Sequence, residues 1–243
     1  MFQVLKLEQV DSTNRYLMDW AARGAGHGQV VVAGSQTGGR GRLGRSFECP
    51  VGGLYFSVLL RPREGREALP TLTARVAAAV CRGVERACGV CPDIKWPNDL
   101  QLGGKKLCGI LCELGMEGDA PYVVVGIGLN VDEPEGGFSP EVAALATTLA
   151  RHAPGVDRER VLACVLEELE TLDRVFPRGW ETDRAFYRER CVTLGRSVEV
   201  SRGETRRAGR AVDLGEDFAL RVAWDEGGEE WVRSGEVSLH KGD

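Results

Sequence analysis

This chain predicts a mixed α/β domain to about residue 193, followed by a small all-β unit. Two observations carry that expectation. Up to about residue 193, short apolar runs rich in β-branched residues alternate with stretches in helical spacing. From about Gly195, apolar and polar residues alternate, with turn signals at Arg202-Gly203, Leu214-Gly215 and Gly227-Gly228. Short strands with such regular turns read as a small β-barrel. Domains are therefore expected over 1–193 and 194–243, the second near the lower size at which a unit folds alone. With 43% hydrophobic and 28% charged residues among 243, the chain can bury a real core.

The elements follow in order. "DSTNRYLMDWAARG" reads as a helix: Asp11 or Ser12 caps it, Leu17 shares a face with Trp20 or Ala21, and Gly24 ends it. Gln29 to Ala33 is a β-branched run entering a loop, and Leu54 to Leu60 is a second apolar strand. The Ala-rich "LPTLTARVAAAVCRGVERACG" is a helix opened by Pro70 and closed by Gly89. "DIKW", "DLQL", "KLCGILCEL" and "YVVVGIGLNV" are short apolar runs, with Gly103-Gly104 as a hairpin turn. "DRERVLACVLEELETLDRVF" keeps helical spacing from Val161 to Phe176, and "WETDRAFYRERC" reads as one more helix.

Bulk properties exclude several classes. A net charge of −5 makes the whole chain no polyanion binder. No run reaches the roughly 18 apolar residues of a membrane span, and the N-terminus lacks the layout of a signal peptide. A cytoplasmic protein is expected. Eight cysteines over this length do not read as a disulfide scaffold. Cys88 and Cys91, with Cys108 and Cys112, have spacings compatible with zinc or redox chemistry. The competing reading places Cys108 and Cys112 on one face of a strand as small hydrophobes, and no zinc is expected.

The stretch "TGGRGRLGRSFECPVGG" contains G-x-G-x-x-G at Gly39, Gly41 and Gly44. A dinucleotide turn needs a helix after the glycines, but Pro50, Gly52 and Gly53 follow, and the next element is a strand. A P-loop would need Lys-Ser or Lys-Thr. What remains is a flexible loop bearing Arg40, Arg42 and Arg45, suited to a phosphate or carboxylate, or else a solvated basic turn. "KWPND" adds a cation, an aromatic plate and two oxygen-bearing side chains. Asn98 and Asp99 suit Mg²⁺ beside nucleotide phosphates, or simply a turn. Lys106 neutralises an anion or snorkels. Gly126 and Gly128 admit a ligand to the backbone or serve close packing.

Together these segments resemble the biotin protein ligases, the biotin–[acetyl-CoA-carboxylase] ligases. The match runs through "DSTN" (11–14), "SQTGGRGRLGR" (35–45), "KWPNDL" (95–100), "KKLCGILCE" (105–113), "GIGLNV" (126–131) and "SGEVSL" (234–239), in the family's order. The resemblance implies an α+β fold, a mixed sheet with helices of the class II aminoacyl-tRNA synthetase and biotin ligase kind, followed by a small SH3-like barrel. It implies two steps: biotin and MgATP give biotinyl-5′-AMP, and a lysine of a biotin carboxyl carrier domain then takes the biotinyl group. Biotin is then a substrate and MgATP a co-substrate, with no tightly bound cofactor.

Residue by residue, the resemblance implies catalytic roles for Lys106, Arg40 and Arg42. It implies biotin contacts from Ser12, Thr13, Asn14, Gln36, Gly39, Arg40, Gly41, Arg42, Lys106, Gly109 and Leu111. ATP would meet Arg40, Arg42, Arg45, Trp96, Asn98, Lys106 and Asn130, with Asn98 and Asp99 near Mg²⁺. The sequence departs from the family pattern at Phe47, where Trp is common, at Cys49, where Ser is common, and at His240, where Arg is common. His240 is therefore given no nucleotide contact. "DSTN" begins about ten residues into the chain, so no helix-turn-helix and no DNA partner are expected. No membrane partner is expected either, and pairing of two copies through a sheet edge is open. The rivals are a lipoate–protein ligase-like enzyme, a nucleic-acid-binding module, for which the charge is wrong, and an inactive scaffold, which the basic residues disfavour.

Overall fold

The structure, a computed structural model, describes residues 1–62 and 64–239. Among them, β1 (Gln3–Val10), α1 (Thr13–Ala22), β2 (Gln29–Gln36), β3 (Leu54–Leu60) and α2 (Leu72–Cys88) form the first half. Next come β4 (Asp93–Lys95), β5 (Asp99–Leu102), β6 (Lys105–Glu117), β7 (Ala120–Leu129), the one-turn α3 (Pro140–Ala143), α4 (Arg158–Val175) and α5 (Trp180–Arg190). The C-terminal strands are β8 (Ser197–Arg202), β9 (Thr205–Leu214), β10 (Leu220–Trp224), β11 (Glu229–Val232) and β12 (Glu236–Leu239).

Seven strands form one mixed sheet in the order β1-β2-β3-β7-β6-β5-β4, parallel only between β1 and β2. This is the mixed α/β architecture expected for the larger part. β8 to β12 form a second, antiparallel sheet in the order β11-β10-β9-β8-β12.

Both faces of the large sheet are covered. β3 is buried along its whole length, which is why it reads as an unbroken apolar run. Val30 and Val32 face the cluster containing α2 and α4, while Val31 and Leu59 face Leu17 and Ala21 of α1. Successive strand residues therefore feed opposite layers. Cys108 and Cys112 both join the α2-facing cluster, as the small-hydrophobe reading expects. Burial pushes the Cys112 and Cys91 thiols each up to about 11.

Three details differ from the sequence expectation. β1 has no counterpart among the elements the sequence predicts. Its signal is weak because it is an edge strand: Leu5 and Leu7 only partly bury against α1, while Lys6 and Glu8 are exposed. β2 continues to Gln36, beyond the apolar run that ends at Ala33. Pro70 lies inside a 3₁₀ turn, Arg66–Thr71, and α2 begins after it. At the other end of α2, Gly89 is left-handed with φ 74° and donates to Glu85 O, the expected C-terminal cap.

Two contacts fix the helices. Arg75 of α2 is fully buried; its Nε donates to Asp183 Oδ2 at 2.7 Å, and its terminal nitrogens donate to the carbonyls of Pro177 and Arg178. Each of the three guanidinium nitrogens thus donates to an oxygen, as a buried cation requires. Gly83, also on α2, faces α4 so closely that a Cβ there would lie 2.7 Å from Val165 Cα.

Gly83→Ala is therefore expected to destabilise the protein by about 1–3 kcal/mol, although alanine is the better helix former by about 1 kcal/mol. The helix backbone of α4 cannot yield as a side chain would. Urea unfolding at neutral pH checks the sign; a more stable variant would remove this account of the α2–α4 crossing.

Candidate active site

The site starts at the N-terminus of α1. Ser12, extended at φ −156° and ψ 129°, caps the helix with its Oγ accepting from Arg15 N. The cap places Ser12, Thr13 and Asn14 against the sheet, all nearly inaccessible to solvent. Gln36 Oε1 accepts from Thr13 N at 2.7 Å and from Thr13 Oγ1 at 3.1 Å. Ser57 Oγ lies 2.7 Å from Thr13 Oγ1 and 2.6 Å from Asn14 Oδ1. Asn14 Nδ2 donates to Leu111 O at 3.2 Å and Glu113 Oε2 at 2.8 Å. Both amide hydrogens of Asn14 are thus used inside the protein. A connected polar network runs from Gln36 through Ser57 to Glu113 beneath a cavity, and buried polar groups need such partners.

The arginine loop folds back on itself. Gln36 bridges Cys49, and Arg40 bridges Ser46. Gly41 N donates to Arg45 O, and Phe47 N donates to Gly39 O. The reversal is made at Leu43 and Gly44, with φ 56° and 75°. Gly39 is needed for this fold, since a Cβ would lie 2.3 Å from Phe47 O and 2.6 Å from Cys49 Sγ.

The loop's return strand lays the Phe47 ring over two strand glycines. A Cβ on Gly128 would lie 2.8 Å from that ring, and one on Gly109 3.2 Å. On the neighbouring β7 position, a Cβ on Gly126 would lie 2.1 Å from Asn14 Oδ1. Of the two readings of Gly126 and Gly128, close packing by site residues is what the structure displays.

The cations converge from two segments, the loop and β6. Lys106 Nζ sits 2.8 Å from Asp99 Oδ1 and 5.5 Å from the Phe47 ring centre. Arg42 Nη1 donates to Asn98 Oδ1 at 3.1 Å, and its other terminal nitrogen donates to Gly235 O of the C-terminal sheet. Burial lowers the Arg42 pKa below the usual guanidinium value, against the opposing pull of Asp99, Glu236 and Tyr187. Arg40 Nη1 lies 3.1 Å from Glu113 Oε1. Arg45 pairs with Glu236.

Of the predicted residues, Ser12, Thr13, Asn14, Gln36, Arg40, Gly41, Arg42, Asn98, Lys106, Gly109 and Leu111 line one cavity. Arg45, Trp96 and Asp99 line an adjoining cavity that shares Arg42, Asn98 and Lys106. Gly39 and Asn130 line neither. Asn130 is buried, with Nδ2 donating to Thr147 O and Oδ1 finding no protein partner. His27 lies 2.9 Å from Asp173, and His152 lies 3.0 Å from Thr147; His240 falls outside the described residues.

Ser57, Glu113, Ile110 and Ile127 are site residues the motifs did not single out. Glu113, Ile110 and Ile127 lie inside the matched segments without an assigned role, and Ser57 is legible only as a hydroxyl inside an otherwise apolar strand. Asn98 and Asp99 form a sparse metal set: one amide oxygen, already accepting from Arg42, and one carboxylate. Among the described residues no three His, Cys, Asp or Glu side chains gather as a metal cluster. Asp99 Oδ1, buried and without a directed hydrogen bond despite its contact with Lys106, retains capacity for a cation.

A neutral polar floor at one end and three convergent cations at the other suit a ligand with an uncharged hydrogen-bonding head and an anionic tail. Comparison with known proteins agrees. The model of the Biotin/lipoate A/B protein ligase family matches residues 7–130. A Mycobacterium tuberculosis protein, biotin--[acetyl-CoA-carboxylase] ligase, is 34% identical over 239 residues, covering 96% of this chain and 86% of that one. The bifunctional ligase/repressor BirA of Bacillus subtilis is 32% identical over 222 residues, covering 90% of this chain and 68% of its own. A solved structure of biotin protein ligase from Aquifex aeolicus in complex with biotin and ATP matches with TM-score 0.86 at 32% identity, covering 100% of both chains.

Cys49, behind the loop, has its thiol pushed up to about 12, chiefly by burial. The raised value keeps the thiol protonated in the folded state, so nucleophilic thiolate is scarce at pH 8 and grows only as pH rises toward 12. Iodoacetamide at pH 8 should leave Cys49 unmodified in native protein and alkylate it after unfolding, as read by peptide mass spectrometry.

Proposed function

Since the chain belongs to the biotin/lipoate A/B protein ligase family, we propose that it activates biotin as biotinyl-5′-AMP and passes it to a lysine of a biotin carboxyl carrier domain. The homologues are biotin protein ligases, and the enzyme class is ligase. One observation carries the site assignment: Arg40, Arg42 and Lys106, from the loop and from β6, border the same cavity as the uncharged floor of Ser12, Thr13 and Gln36.

The chemistry follows from that charge distribution. In the first step a carboxylate oxygen of biotin bonds to the α-phosphorus of ATP, and the bond to the bridging oxygen breaks to release pyrophosphate. Two anions must approach each other, so the contribution of the protein is positioning and charge stabilisation. Lys106 lies where one ammonium can reach both anions, as it already reaches the Asp99 carboxylate. Arg42 and Arg40 supply forked donors from above. Ser12, Thr13 and Gln36 hold the ureido head, and Asn14, spent on its own network, shapes their floor. In the second step the carrier lysine amine bonds to the acyl carbon, and AMP leaves. No protein nucleophile is needed. The loop excludes water from the mixed anhydride between the steps.

Several finer assignments rest on the same reading. ATP brings Mg²⁺, for which Asp99 and Asn98 offer oxygens next to the phosphates. Arg45 and Trp96 border the phosphate side. Asn130, with its free Oδ1, serves the adenine pocket only by holding the 146–149 segment. The division at 193/194 and an SH3-like closure of β8–β12 are supported by the five short antiparallel strands and their tight turns. β1 and β4 are the sheet edges through which two copies would pair. No helix among the described residues is long and apolar enough to cross a membrane, in line with action in the cytoplasm.

The test is ATP–pyrophosphate exchange with Mg²⁺ and either biotin, lipoate or neither. Exchange dependent on biotin is expected; exchange with lipoate alone would transfer the site to the sister reaction. Lys106→Ala should slow biotin-dependent exchange by about 10²–10³-fold, and a near-normal rate would show the shared cation to be misassigned. Arg42→Gly removes both the Asn98 and the Gly235 contacts. It should release biotinyl-AMP into solution and label nearby lysines indiscriminately, measured by blotting for biotin on a bystander protein.

A further inference from the structure

Glu113 stands just beyond the cavity and is used by neither chemical step. It lies on β6, two residues from Leu111 and four from Gly109, so all three share one face of the strand. Gly109 and Leu111 line the cavity, and Glu113 touches two further lining residues, Asn14 and Arg40. β6 pairs with β7 along ten positions, with Glu113 opposite Val124. Its backbone is therefore held by one of the most firmly paired strands of the molecule.

The two carboxylate oxygens of Glu113 go to two different parts of the site. Oε2 accepts from Asn14 Nδ2 at 2.8 Å, on the floor. Oε1 lies 3.1 Å from Arg40 Nη1, on the loop. Arg40 is one end of the bridge to Ser46 that closes the loop on itself. Arg42 and Arg45 are held from the other side, by Asn98, Gly235 and Glu236. Without Glu113, no other carboxylate among the described residues forms an ion pair with Arg40, whose side chain is half exposed.

We propose that Glu113 is a positioning residue for the ligation reaction: it tethers the arginine loop to β6 through Arg40 while fixing Asn14, so that one rim carboxylate couples closure of the loop to the floor of the biotin site. This rests on the ligase reading above. The tether is a rim ion pair, strong enough to bias the loop and weak enough for Arg40 to turn toward a substrate anion. Biotin or ATP arriving in the cavity offers Arg40 a second anion, a carboxylate or a phosphate, and the loop then exchanges Glu113 for it without ever carrying an unpaired guanidinium.

Glu113→Gln separates the two duties, because the glutamine oxygen still accepts from Asn14 while the ion pair is lost. Amide hydrogen exchange of the 37–49 peptide in ligand-free protein should quicken by about two- to fivefold, with melting temperature held within about 2 °C. Single-turnover release of biotinyl-AMP should rise in parallel. Arg40→Ala should quicken the same peptide, and Glu113→Gln added to it should change nothing further. Glu113→Ala also frees Asn14 and should raise the KM for biotin several-fold beyond the glutamine variant.

An unchanged 37–49 peptide in Glu113→Gln, additive effects with Arg40→Ala, or a large fall in melting temperature would each overturn the tether. The exchange measurement needs no substrate, so it stands or falls separately from the biotin-dependent pyrophosphate exchange that tests the ligase reading.

Discussion

The constraint on which the site depends is the mutual repulsion of its cations. Four basic side chains surround two joined cavities, and each is held by an oxygen from a different part of the chain. Lys106 has Asp99, Arg40 has Glu113, Arg42 has Asn98 and Gly235, and Arg45 has Glu236. Like charges brought this close need local counter-charges, since partial burial weakens screening by water. The same arrangement presets their positions for a ligand whose own anions will replace those oxygens.

Steric space is the second condition. The floor is built by bringing side chains onto backbone where a Cβ would not fit. Asn14 lies against Gly126, Phe47 against Gly128 and Gly109, and the loop's own return against Gly39. The site's glycines thus do two separate jobs. Gly39 and Gly44 let the loop reverse, whereas Gly109, Gly126 and Gly128 let other residues lie flat on the sheet. Phe47 links the two sets, being carried by the loop and seated on the strand glycines beside Lys106.

The C-terminal sheet takes part in this arrangement rather than hanging from it. Trp96, next to the Asn98-Asp99 turn, is buried, and its Nε1 donates to Phe218 O. Its backbone N donates to Thr193 Oγ1. Tyr187 of α5 packs edge-on against Phe218, with ring centres 5.7 Å apart, and its hydroxyl donates to Pro97 O. These contacts bring Gly235 and Glu236 over the loop, so two of its arginines are satisfied by residues almost two hundred positions away.

The sequence by itself determined the strands that are buried on both faces, the capped helices and the hairpin at Gly103-Gly104, because these follow from local hydrophobic period, cap residues and turn chemistry. It also carried the motif residues of the site, since a loop of glycines and arginines is legible wherever it falls. It did not show β1, whose half-exposed edge leaves only a faint alternation, nor the extra turn before α2. Tertiary structure alone decided which oxygens each cation would hold, that Ser57 joins the floor and Glu113 ties it to the loop, that Asn14 is consumed by its own network, and that Asn130 is not among the lining residues. The physical reason is that most of these hydrogen bonds and ion pairs join residues far apart in sequence, up to 193 positions, and even Lys106 meets Asp99 only across the β5–β6 pairing. Such partners are set by how strands and loops meet in space, which no local pattern encodes.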